Sequence, residues 1–134
     1  MRLKKTEIEM IRLARVCRLA TVDGAGVPSC VPVCPVFHGK RIYFGTERGA
    51  KKVQNLRGDR NLALVYDEYS EVWLSLRGIL IKGEGKIVEK GPLFRKARRL
   101  LYKKYPQYEQ GAALEEGESV IVEVTPLRSF SWGL

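Results

Sequence analysis

No stretch of this chain approaches the roughly 20 consecutive apolar residues that a membrane-spanning helix needs. Met1 to Lys5 also lacks the apolar run of a signal peptide. Both absences lead to the expectation of a cytoplasmic protein with no membrane partner. Histidine occurs once, at His38, and cysteine three times, at Cys17, Cys30 and Cys34. Cys30 and Cys34 stand four apart on what reads as a strand, which at strand rise separates their Cα atoms by about 13 Å. A disulfide needs roughly 4.4 to 6.8 Å, so these two do not pair within one chain. With a single histidine available they also fail to make a zinc set, and no metal is expected. All three thiols are read as buried small hydrophobes.

Acidic residues are the scarcer sign, 15 Asp and Glu against 24 Lys and Arg, leaving a net charge of +9. Such an excess raises the question of nucleic acid. The cations gather at the chain start and in Arg95 to Lys104. No interleaved aromatic platform accompanies them, so nucleic acid is not expected as the main partner. Internal repeats, low-complexity tracts and linkers are absent as well, and 134 residues read as one domain, 1–134, able to bury its own core.

What is present centres on Ile42 to Arg57, which reads as a strand, a glycine-bearing turn and the opening of a helix. Thr46 offers a hydroxyl there, and Lys51 and Lys52 offer two ammonium groups. Free N–H groups at a helix start, the positive end of the helix dipole and adjacent lysines favour a phosphate in one small volume. Each charge-assisted hydrogen bond in such a seat contributes roughly 1.5 to 3 kcal/mol. A single Gly49 precedes the lysines, so this is no triphosphate-wrapping P-loop, and one terminal phosphate is expected.

Around this stretch, Thr6 and Glu9 have the form of a capping box for a first helix of about ten residues. Leu19 to Val22, then Asp23-Gly24, then the apolar run Val27 to Phe37 predict a hairpin. Pro28, Pro32 and Pro35 place its second strand at an edge or a bulge, with free backbone groups that could face a ligand. His38-Gly39-Lys40 makes a turn, and His38 reads as a surface residue. Asn61 to Asp67 and the long segment Val72 to Glu89 follow as strands, the latter punctuated by Gly78, Gly83 and Gly85 where it must bend. Pro92 opens a basic amphipathic helix that stops before Pro106, Gln110 to Gly117 is a loop, and Ser119 to Thr125 is the last strand. The fold class is therefore mainly β, a six-stranded antiparallel barrel with flanking helices. Phe130 and Trp132 in the tail are read as packing, or as a cover for a partner subunit.

The succession Arg18-Leu-Ala-Thr-Val, Val31-Pro-Val, Ile42-Tyr-Phe-x-Thr46, Lys51-Lys-Val-x-x-Leu56 and Leu76-Arg-Gly78 resembles the pyridoxamine 5'-phosphate oxidase-like, FMN-binding split-barrel family. Lys103 to Tyr108 and the tail are similar to its small single-domain branch, which includes enzymes using the deazaflavin coenzyme F-420. The resemblance implies a flavin-dependent oxidoreductase and a homodimer whose two FMN sites are each built from both chains. Hydride then passes to or from a small-molecule substrate. By position, Thr46, Lys51 and Lys52 are implied for the cofactor phosphate, Pro32, Val33, Cys34, Pro35 and Gly45 for the strands along the flavin ring, and Trp132 for the tail. No catalytic dyad is implied, because the flavin carries the chemistry. An arginine and a lysine that grip the phosphate in the true oxidases are replaced at Cys30 and Pro35, and the C-terminal substrate-binding arginine motif is missing, which argues against vitamin B6 oxidation. Alternatives are coenzyme F-420 in place of FMN, or a non-enzymatic flavin carrier, haem-binding relative or basic nucleic-acid-binding module.

Overall fold

The apolar run from Val27 to Phe37 does not form one strand. It breaks at Cys34-Pro35, and its halves go to opposite edges of the only sheet. The computed structural model describes residues 1–134, in the order α1 (Lys5–Leu13), β1 (Cys17–Val22), β2 (Pro28–Val33), β3 (Val36–His38), β4 (Arg41–Glu47), α2 (Lys51–Gly58), β5 (Asn61–Glu68), β6 (Arg77–Val88), α3 (Pro92–Lys104) and β7 (Ser119–Trp132). Every strand pairing is antiparallel and the sheet order is β2-β1-β5-β6-β7-β4-β3. Both edge strands, β2 and β3, are joined by two residues, so the sheet must curl until its edges lie side by side. The expected barrel is therefore found with seven strands instead of six, and it is split between β2 and β3. Proline explains the break, since Pro35 has no N–H for a ladder and bends the chain out of β2.

Alternation along the strands fills the inside. Leu62, Leu64 and Tyr66 of β5, Ile79 and Ile81 of β6, and Ile42 and Phe44 of β4 form one core with Met10 and Ile11 of α1. The opposite face of β4 carries Tyr43, which joins Val36, Ile121 and the apolar stripe Phe94, Ala97 and Leu101 of α3 in a second core. Strand β4 is thus clamped between two apolar layers, and whatever follows it starts from a fixed point.

Turn chemistry sets the register. In the β1–β2 hairpin, Asp23 Oδ1 accepts hydrogen bonds from the N–H groups of Ala25 and Val27, both at 2.9 Å. Between β3 and β4 a two-residue turn has both Gly39 (φ 56°) and Lys40 (φ 64°) in the left-handed region, the twist that a tight hairpin requires. His38 is exposed beside that turn, as expected. The start of α1 differs from expectation: Glu7, not Glu9, reaches back, accepting from the Lys4 N–H at 2.7 Å, because the helix is capped at Lys4, two residues before Thr6.

Two further expectations are corrected. The final strand does not end at Thr125 but continues to Trp132 along β6, passing Pro126 at a register shift opposite Gly83. A Cβ at Gly83 would collide with the Thr125 carbonyl, so the glycine makes room for the irregularity. The segment before β6 is also not strand from Val72, because Trp73–Ser75 forms a 3-10 turn. Of the thiols, only Cys17 is buried; Cys30 is exposed on the outward side of the edge strand β2, and Cys34 is exposed in the two-residue link between β2 and β3. No helix is long and apolar enough to cross a membrane.

Helix α2 is tied to the barrel by a buried polar pair, Asn55 Nδ2 donating to Thr21 Oγ1 at 3.0 Å. Asn55→Ala leaves the hydroxyl without its donor and should lower stability by about 1–3 kcal/mol. A urea midpoint shift at constant slope measures it, and an unshifted midpoint shows that the pair does not hold the helix.

Candidate functional site

Strand β4 ends at Glu47, whose carbonyl accepts from the Ala50 N–H at 3.2 Å, and α2 begins at Lys51. Ala50 in the cap position has no side chain to offer, and the backbone N–H groups of Lys51 and Lys52 have no acceptor in the protein. Two orphan donors and the positive end of the helix dipole therefore face outward beside two ammonium groups. The Lys51 Nζ lies 4.0 Å from Asp23 Oδ2 of the β1–β2 turn. Hydrogen bonds from Val27 and Ala25 hold the Asp23 carboxyl below the usual carboxylate range, so it stays ionised and partly offsets Lys51. Lys52 is half-buried and makes no ion pair. Asp23 escaped the sequence reading, which took it only as a turn residue.

Beside this seat lies the split. Strand β3 accompanies β4 only over Arg41 to Tyr43, while β7 accompanies it from Ile42 to Glu47. Beyond Tyr43, β4 therefore has one unpaired edge. The two-residue hairpin makes Arg41 and Tyr43 the residues that bond toward β3, so alternation turns the Gly45 N–H and C=O into the split. Continuing the β3–β4 register would set Cys34 opposite Gly45 and Val33 opposite Thr46. A cavity of about 850 Å3 opens there, walled by Gly45, Thr46, Arg48 and Ala50 on one side and Tyr108, Ala112 and Leu114 on the other. It continues past Tyr108 and Ala112 into a second cavity of about 380 Å3 that includes Cys34, Arg15 and Tyr105. At Gly45 the absent side chain makes room for Leu114, which a Cβ would meet at 2.7 Å. Close packing of the chain on itself accounts for this glycine.

The bend at Cys34-Pro35 is fixed by the end of α3. Lys104 Nζ donates to the carbonyls of Ala14 at 2.6 Å and Pro35 at 2.8 Å. The Tyr105 hydroxyl lies 2.7 Å from the Pro35 carbonyl and 3.0 Å from that of Arg15. In return Arg15 Nη2 donates to the Lys104 carbonyl at 3.0 Å. The Pro35 carbonyl is thus occupied from within the chain, and the expectation of free backbone groups at that proline fails. This latch was not legible in advance, because its partners are 69 to 90 residues apart.

Burial, with the neighbouring Arg15 charge, pushes the Lys104 ammonium from 10.5 down to about 8. A folded-state value below the unfolded one means that the unfolded chain binds more protons between about pH 8 and 10.5. This group's contribution is then present at high pH and lost as pH falls through 8. The Cys17 thiol, raised by burial from 9.0 to about 12, works in the opposite direction from about pH 9, and the buried tyrosines Tyr43 and Tyr108, raised to about 12, do so above pH 10. From pH 7.5 to about 9 the urea midpoint should rise, and Lys104→Met should flatten the rise. A wild-type midpoint that falls over this range contradicts the assignment.

The structure places Gly45 and Thr46 on the wall of the larger cavity and Cys34 on that of the smaller one, the two sharing Tyr108 and Ala112, while Lys51 and Lys52 line neither and follow at the start of α2. Val33 and Pro35 are buried, and Pro32 lies on the outer face of β2. Trp132 is elsewhere. Thr46 pairs with Val120 at the start of β7, and Trp132 pairs with Gly78 at its end, twelve residues or roughly 40 Å of strand away. Its indole packs where a Cβ on Gly78 would sit.

A curled antiparallel sheet split between its edge strands, with an open helix start at the end of β4, defines a split-barrel protein. Residues 3–133 match the family model of pyridoxamine 5'-phosphate oxidase, and the chain belongs to that family. No curated protein matches the chain. Among solved structures, a conserved hypothetical protein from Mycobacterium tuberculosis superimposes with a TM-score of 0.82 at 21% identity, over 98% of this chain and 86% of the other. The haem storage protein HutZ from Vibrio cholerae gives 0.81 at 17% identity, over 97% and 94%. An F-420 reductase gives 0.73 at 18% identity, over 96% and 98%. At these identities the likeness is one of fold.

Proposed function

We propose that this protein is a flavin-dependent oxidoreductase that binds FMN in the split groove and transfers hydride with a small organic substrate. The observation that carries this reading is the pair of unpartnered N–H groups at the start of α2, flanked by Lys51 and Lys52 and following directly on the Thr46 to Ala50 wall of the larger cavity. These groups fit a single phosphate. The unpaired edge of β4, with the Gly45 N–H and C=O turned outward, fits a planar group that carries hydrogen-bonding atoms on its rim. When bound, FMN supplies hydride acceptance and donation. The chain's own part is to hold the phosphate at α2, to orient the ring along β4 and to keep Cys34-Pro35 still through the α3 latch.

The reading includes a homodimer, which is supported by a groove open to solvent in the single chain and by apolar surface that the chain leaves uncovered. Phe130 is 67% exposed beside Leu80 on the outer face of the sheet, and Trp73 and Leu74 are 74% and 100% exposed. Trp132 serves a flavin site only in such a dimer, by reaching the partner's groove.

Coenzyme F-420 is the second reading. It is favoured by the excess of 24 Lys and Arg over 15 Asp and Glu and by a phosphate seat that Asp23 partly neutralises. Haem is supported less well: the single histidine is at the β3–β4 turn, and the groove offers only Cys34 and tyrosines as axial ligands. An absorption spectrum of the purified protein, with mass spectrometry of the released cofactor, tests the proposal. FMN bands and FMN mass are expected; a colourless protein that binds F-420 but not FMN overturns it in favour of the second reading. A protein that sediments as a monomer with FMN bound overturns the two-chain site.

A further inference from the structure

Past the cofactor seat, the groove runs into the cavity of about 380 Å3 formed by Arg15, Cys34, Tyr105, Gln107, Tyr108 and Ala112. We propose that this cavity is the substrate subsite and takes a small planar monocarboxylate, with Arg15 holding the carboxylate. The inference rests on the flavin reading only in calling the ligand a substrate.

Arg15 is held from two sides. Its Nη2 donates to the Lys104 carbonyl at 3.0 Å, and its guanidinium carbon lies 4.6 Å from the centre of the Tyr105 ring. One of five donors is used, and no carboxylate of the chain pairs with it. A guanidinium already oriented and still holding free donors is suited to two coplanar oxygens at once. The charge available is one. Lys104, the other cation nearby, does not line the cavity and turns its ammonium to the carbonyls of Ala14 and Pro35. A monoanion therefore fits better than a phosphate dianion, which sets this subsite apart from one for a phosphorylated vitamer.

The opposite wall is flat and stiff. Tyr108 stacks on Tyr102 with centroids 5.4 Å apart and 17° between planes, and meets Tyr105 edge-on at 6.1 Å. Such a wall suits a conjugated or aromatic body. The volume is at the small end of ligand pockets and matches a molecule of about one ring. Tyr108 and Ala112 line both this cavity and the larger one, so a ligand anchored at Arg15 extends past them toward Gly45 and Thr46 of β4.

Cys34 is an exposed thiol in the cavity and serves as the reporter. The experiment measures its alkylation by iodoacetamide, by peptide mass spectrometry, with benzoate or the neutral isostere benzamide, on the protein as purified and again with added FMN. Saturating benzoate should slow alkylation about tenfold or more while benzamide does not, Arg15→Gln should remove the protection, and Arg15→Lys should restore part of it. Equal protection by benzamide, no protection by either, or undiminished protection in Arg15→Gln overturns the proposal. Should Arg15→Gln fail to fold, the contrast between benzoate and benzamide on the wild-type protein decides alone. Benzoate protection that depends on Arg15 in a protein that binds no FMN keeps the anion subsite and refutes the flavin reading; FMN binding without that protection does the reverse.

Discussion

Replacing Lys51 and Lys52 together with alanine should weaken FMN binding about 100-fold while leaving the affinity for riboflavin, which has no phosphate, within about twofold. Two charge-assisted contacts at roughly 1.5 to 3 kcal/mol each set the upper bound. Exposure reduces it, because the Lys51 side chain is 63% exposed and solvent screens it. The N–H groups of residues 51 and 52 remain in the variant, since they belong to the backbone, and they account for the residual affinity. Folding should be unaffected, as neither lysine packs in a core and alanine is a good residue for a first helical turn. Asp23 supplies the complementary arm. Asp23→Asn removes the carboxylate 4.0 Å from Lys51 and keeps an oxygen for the Ala25 and Val27 N–H groups, so FMN should bind a few-fold more tightly. Equal loss of FMN and riboflavin affinity in the double variant would show that the lysines act on the fold and not on a phosphate.

The strand, turn and helix start that carry the two lysines were legible because they are local: all lie within the sixteen residues Ile42 to Arg57, and turn and helix chemistry act over that distance. Inward alternation of Leu62, Leu64 and Tyr66 was legible for the same reason. What failed to show was whatever depends on which distant element lies alongside. Pro126 reads as the end of a strand, and only the glycine opposite, Gly83, lets β7 run through it. Cys30 and Cys34 read as buried because their run is apolar. Cys34 is exposed because it lies in the link past β2, beside a cavity, and Cys30 because β2 is an edge strand whose outer face nothing in this chain covers. The same uncovered face, with Phe130 upon it, is why the sequence suggested a partner. The groove's far wall had a faint signal in Tyr102, Tyr105 and Tyr108, spaced by three at the end of α3, a period that puts three rings on one side. Nothing in the sequence said that they face Arg15 and Cys34.

The α3 latch should have the largest effect on the protein as a whole. Lys104→Met with Tyr105→Phe removes the two hydrogen bonds of the ammonium and the one that the single hydroxyl proton makes between two carbonyls, and strands the carbonyls of Ala14, Arg15 and Pro35. Each net hydrogen bond is worth only about 1 kcal/mol, but an unsatisfied buried carbonyl costs about 1–3 kcal/mol. Water can reach the Ala14 and Arg15 carbonyls more readily than that of Pro35, where the bond to Tyr105 is buried. A combined loss of about 3–5 kcal/mol follows, enough to shift the thermal midpoint by roughly 10 °C or more for a chain of this length. The effect on the groove is separable from the effect on stability. Pro35 sits where the chain leaves one edge of the sheet for the other, so freeing its carbonyl loosens the link that holds Cys34 opposite Gly45. The milder Tyr105→Phe, measured at a temperature where it is fully folded, should therefore lower FMN affinity while leaving Lys51 and Lys52 untouched. Its riboflavin affinity should fall in proportion, the opposite pattern to the lysine variants. If Tyr105→Phe destabilises the fold but both affinities hold, the latch is a staple for α3 alone, and the split keeps its shape by other contacts.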